Sequence, residues 1–76
     1  MKYVVVIERA EGNYSAYVPD LPGCVAVGDT VEECETSIQQ AIEFHLRGLR
    51  QDGIDAPEPI SIAKEVDIGA LRAYVR

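Results

Sequence analysis

Basic charge is scarce in this sequence. Seven Lys and Arg stand against 13 Asp and Glu, a net charge of −6 at pH 7. That balance speaks against direct binding to nucleic acid, where neutralisation of phosphates by Lys and Arg supplies most of the affinity. It suits a partner that is itself basic, and it also keeps a small protein soluble. Cysteine is limited to Cys24 and Cys34. Two are too few for a disulfide framework, and both are expected as free thiols. No apolar run approaches the ~20 residues of a membrane span. Met1-Lys2-Tyr3 leads straight into a strand-like run with no small-residue cleavage site. A cytoplasmic protein without membrane attachment is expected. A phosphate-cradling loop is missing too: Gly23 and Gly28 flank a strand and do not introduce a helix in G-x-G-x-x-G spacing. There is no internal repeat and no low-complexity run.

What remains is 76 residues with an ordinary apolar share of 47%. This is one domain, 1–76, whose core is thin because a chain this short buries only about 60–65% of its unfolded surface. A second copy or a partner is therefore expected to support it.

The strongest pattern runs from Thr30 to Gly53. Val31, Cys34, Ile38, Ala41, Ile42, Leu46 and Leu49 recur at intervals of three and four, the stripe of an α-helix. Thr30 with Glu33 three places on has the form of a capping box. Asp29, Glu32, Glu33 and Glu35 at the start, and Arg47 and Arg50 near the end, both oppose the helix dipole favourably. Gly53 suits the left-handed position after the last turn. The spacing predicts a helix over 30–52, about 33 Å long.

Strands are expected before it. Residues 2–9 alternate with Tyr3, Val5 and Ile7 on one face and Val4 and Val6 on the other. Ala10 to Asn13 form a turn, and residues 14–18 return as the second half of a hairpin. Pro19-Asp20-Leu21-Pro22-Gly23 breaks the ladder, since prolines cannot donate to it. Residues 24–28 read as a third strand. After the helix, residues 55–59 form a stiff connector, and the alternation in 60–66 reads as a fourth strand. Residues 67–76 fit either a strand or a helical turn. The expected architecture is α+β: a small sheet of three to four strands, in the order β-β-β-α-β, with one long helix packed on one face. The other face is left partly apolar by Val4, Val6 and Tyr17. An uncovered apolar patch on a small protein usually marks an interface.

The motifs also resemble a known family. Tyr14 and Ala16-Tyr17 are followed by Pro19-Asp20-Leu21-Pro22-Gly23-Cys24, then Gly28-Asp29-Thr30, the acidic Glu32-Glu33 and Ala41-Ile42. This run is similar to the core of the HicB-like antitoxins, over Met1 to roughly Pro59. The resemblance implies a truncated RNase H-like fold. It also implies binding to a small, basic, HicA-like toxin that cleaves mRNA, with the antitoxin covering the toxin's RNA-binding and active surface. Many members carry a C-terminal DNA-binding module. Only ten residues follow Val66 here, so operator binding is not expected. Candidate anchors for the partner are Val4, Val6 and Tyr17 on the free sheet face and Phe44 on the helix flank. A homo-oligomeric scaffold, dimer or tetramer, or a binding protein with no cognate toxin, is the alternative.

An RNase H-like fold invites a nuclease, whose carboxylates hold two metal ions. Here the acids gather at the helix start and in turns, and a solvated acidic face explains them better. His45 and Cys34 lie about 16 Å apart along one helix, too far to share a metal ion. Cys24 has no neighbouring base in the pattern. No catalytic residue, metal or cofactor is expected.

Overall fold

The computed structural model describes residues 1–69. Three strands, β1 (Val6–Ala10), β2 (Asn13–Tyr17) and β3 (Val25–Gly28), form an antiparallel sheet in the order β1-β2-β3. One long helix, α1 (Val31–Gln51), packs across one face of it. The chain is therefore α+β, with the helix placed as its periodicity predicts.

β1 starts at Val6, later than the expected 2–9. Val6 faces Tyr17, and the same register would set Val4 opposite Pro19, which has no N–H for a ladder. At the other end Ala10 pairs with Asn13 around a turn in which Gly12 takes φ +85°. β2 and β3 are joined by two consecutive turns, each with proline in second position. The Val18 carbonyl accepts from the Leu21 amide at 3.0 Å, and the Leu21 carbonyl from the Cys24 amide at 3.1 Å. Gly23, at φ +84°, supplies the left-handed third position of the second turn. This geometry turns Leu21 inward, where it is completely buried. The segment that breaks the ladder thus also plugs the core.

Both ends of α1 are closed by local chemistry. Thr30 Oγ1 accepts from the Glu33 amide at 3.0 Å. The Glu33 carboxylate reaches back to the Asp29 amide at 3.0 Å, one residue before the cap. At the far end Gly53 donates to the Arg50 carbonyl and Ile54 to that of Leu49, the paired bonds of a Schellman motif around Gly53. The inward stripe brings Cys34 and Ile38 against Ala16, Val18, Leu21 and Cys24, with Ile7, Ala26, Ala41, Ile42 and Leu46 packed round them. Gly28 allows the close approach of helix to sheet. A Cβ at that position would lie 2.5 Å from the Cys34 backbone nitrogen.

Residues 60–66 do not form the expected fourth strand. The amides of Ile60 and Ser61 donate to the Asp20 carboxylate at 3.0 and 2.9 Å, and Pro59 has no amide to offer. Ile60 and Ile62 remain exposed. Among the described residues the order is β-β-β-α. Of the expected tail, 70–76 lie outside the described residues.

Candidate functional site

Strand register decides what the face away from α1 displays. Alternation along β2 turns Ala16 inward and Ser15 and Tyr17 outward. Cross-strand pairing then sets Val6, Tyr17 and Val25 in one row and Glu8, Ser15 and Val27 in the next. Nothing among the described residues covers this face, which is why Val25 stays 65% and Val27 63% exposed. The side chains of Tyr17, Val25 and Val27 border a shallow cavity of about 430 Å³, which Ser15 also lines. Neighbouring residues on a sheet face sit close enough to act as one apolar surface.

Val27 also borders a second concavity, of about 590 Å³, formed with Asp29, Glu32 and Glu33 at the start of α1. An apolar patch and an acidic ledge therefore meet at one residue. The acids are there because they favour the positive end of the helix dipole, and the ledge follows from helix capping.

Among the expected anchors, Val6 and Tyr17 are brought together as cross-strand partners. Val4 continues the alternation of β1 beyond the ladder and is half-buried. Phe44 stands apart from them. It is 75% exposed on α1, which packs against the opposite face of the sheet. Val25 and Val27 join the face without being among the expected anchors. A signal for them exists in the sequence: with Cys24 turned to the core, alternation sends both outward.

Asp20 has a definite task within the turn motif. Its Oδ2 accepts from the Ile60 and Ser61 amides, and its Oδ1 from the Ser61 hydroxyl at 2.8 Å. These bonds, those of Ser61 first, hold its carboxyl below the usual carboxylate range. Tyr3 donates its hydroxyl to the Pro57 carbonyl at 2.6 Å. Burial, then the charges of Glu58 and Asp20, push its ionisation upward, so it stays a donor. Cys24 and Cys34 are both buried free thiols. Burial pushes the Cys24 thiol up, the opposite of what activates a nucleophile. Among the described residues no three His, Cys, Asp or Glu side chains converge as a metal site, and no helix is long and apolar enough to cross a membrane.

Comparison with known proteins places this geometry in context. Residues 3–74 match the family described as HicB_like antitoxin of bacterial toxin-antitoxin system. A relative from Haemophilus phage HP1, an uncharacterized 14.9 kDa protein of the rep-hol intergenic region, is 34% identical over 75 residues. The match takes in 99% of this chain but 56% of the phage protein, so the chain spans about half the length of that relative. The crystal structure of TTHA0281 from Thermus thermophilus superposes with a TM-score of 0.68 at 32% identity, over 83% of this chain and 80% of that one. A chain of the HicA3 and HicB3 toxin-antitoxin complex shares the fold, with a TM-score of 0.63 at 24% identity, over 93% of this chain and 84% of that one.

Proposed function

This chain belongs to the HicB-like antitoxins of bacterial toxin–antitoxin systems, and on that premise we propose that it is a non-catalytic antitoxin. It neutralises a small, basic, HicA-like toxin that cleaves mRNA by covering the toxin's RNA-binding and active surface. The observation that carries the reading is the meeting of an uncovered apolar sheet face with an acidic ledge at Val27. A surface that grips RNA is cationic. Acids at Asp29, Glu32 and Glu33 compete with phosphate for it and speed encounter, while Tyr17 and Val25 supply the apolar contact that slows release. The likeness to a chain of the HicA3 and HicB3 toxin-antitoxin complex supports this class of partner.

On this reading the domain is a truncated RNase H-like fold that works in the cytoplasm as a dimer or tetramer. Operator DNA is not gripped by these residues. The test is co-expression with a small basic reading frame adjacent to its gene. Restored growth together with a stable complex in a pull-down is expected. Growth arrest that persists, with no complex recovered from cells making both proteins, overturns the assignment.

A further inference from the structure

The uncovered sheet face carries charge of one sign. Among the described strand residues, Glu8 is the only charged one at an outward position. Arg9, next to it, has the inward parity of Ile7 and pairs with Tyr14. Glu8 is exposed on the edge strand β1 and faces Ser15 across the ladder. Side chains opposed in this way start about 4.5–5.5 Å apart, so the carboxylate lies within reach of whatever sits over Ser15. A charge of either sign protects an edge strand from unwanted pairing, so protection does not account for the sign.

Ser15 is where the face is hollow. It is smaller than its outward neighbours Glu8, Tyr17 and Val27, and the cavity of about 430 Å³ lies over it, against Tyr17, Val25 and Val27. Ala16 and Ala26 line the cavity as well. Their side chains have the inward parity, so backbone forms the floor, and the hollow reaches down between β2 and β3. Such a socket takes an apolar side chain. Glu8 beside it then requires a cation at the next position, because a carboxylate covered without a partner loses its hydration uncompensated. The net charge of −6 and the acidic ledge on the far flank of Val27 favour the same cationic occupant.

We propose that Glu8 and Ser15 select which basic toxin this chain accepts. Ser15 leaves room for one apolar side chain of the toxin, and Glu8 pairs with a Lys or Arg beside that side chain. The inference rests on the antitoxin reading and adds to it the residues that discriminate between basic partners. The ledge of Asp29, Glu32 and Glu33 attracts any cationic surface from a distance. Glu8 acts in contact, where a toxin with its cation elsewhere leaves the carboxylate covered and unpaired. Discrimination of this kind comes from the penalty on the wrong partner.

The test measures binding of the full chain to the product of the small basic reading frame adjacent to its gene. Glu8→Gln is expected to weaken binding at least about thirtyfold, mainly by faster release. Glu11→Gln removes the same charge from the exposed hairpin turn and changes affinity less than about twofold. Ser15→Trp fills the socket and weakens binding at least about tenfold, whereas Ser15→Ala, which keeps the space, leaves it unchanged. Circular dichroism of each variant matches that of the native chain. Against Glu8→Lys, a set of partner variants with each Lys and Arg changed singly to Glu yields one that restores binding. Equal losses for Glu8→Gln and Glu11→Gln, tight binding by Ser15→Trp, or no restoring partner variant would overturn the selection by Glu8 and Ser15 while leaving the antitoxin reading intact. Failure of the native chain to bind at all would overturn both.

Discussion

The carboxylate of Asp20 holds Ser61 twice, through the backbone amide at 2.9 Å and the hydroxyl at 2.8 Å. The two residues are far apart in sequence, and the bonds fix where the chain leaves the body of the domain. Their strength depends on pH in a definite sense. The carboxyl of Asp20 ionises below its ordinary range when folded, so the unfolded chain binds the extra proton. The contribution is therefore complete above the ordinary carboxylate range and is lost as pH falls through the depressed folded value. The Ile60 and Ser61 amide resonances are expected to titrate together in that acid window, and to lose the transition in Asp20→Ala. Amide shifts that stay flat through the acid range in the native chain would exclude the latch.

Gly28 and Gly48 make opposite predictions from the same substitution. A methyl group at Gly28 meets the Cys34 backbone at 2.5 Å, and helix and sheet must separate to admit it. Overpacking of this kind costs about 1–3 kcal/mol. At Gly48, inside α1, a methyl group meets nothing within 4 Å. There alanine stabilises by about 0.5–1 kcal/mol through helix propensity. Chemical denaturation of Gly28→Ala and Gly48→Ala is expected to shift the midpoint down and up respectively. Equal shifts would mean that the close approach at Gly28 carries no cost.

Leu21 tests whether the proline-flanked turn is structural or merely a connection. Its side chain is completely buried although it sits in a loop. Leu21→Ala is expected to cost about 2–5 kcal/mol, the range for a leucine removed from a packed core. For a chain this small that approaches total stability. Far-ultraviolet circular dichroism through a thermal scan would show early melting of α1. An unchanged melting curve would place the leucine outside the cooperative core.

The same residues explain how much of the fold is legible in sequence. α1 is legible because its signals are local: a stripe at intervals of three and four, Thr30 with Glu33, and Gly53 at the end. The hairpin is legible for the same reason, a turn at Gly12 between two alternating runs. The fourth strand is not. Alternation in Ile60–Val66 reports a row of apolar side chains, but it does not supply a neighbouring strand, and Ile60 and Ile62 stay exposed. Pairing needs a partner, and the amides at the start of that segment are held by Asp20, far away in sequence. The free sheet face is half legible. Tyr17 and Val6 follow from alternation in the hairpin, whereas Val25 joins them only once the turns at Pro19 and Pro22 set the register of β3.

The outer face and the acidic ledge separate into two measurable effects on toxin binding. Tyr17→Ala and Val25→Asp remove apolar contact at the centre of the uncovered face, where anchor residues carry about 2 kcal/mol or more. Each is expected to weaken the complex with a basic RNase partner by at least about thirtyfold, mainly by faster release. Glu32→Lys with Glu33→Lys acts on encounter instead: association slows, and its dependence on salt flattens because the complementary charge is gone. Surface plasmon resonance at two salt concentrations distinguishes these outcomes. If Tyr17→Ala and Val25→Asp leave affinity and release unchanged, the toxin does not sit on the uncovered sheet face, and that face serves some other contact.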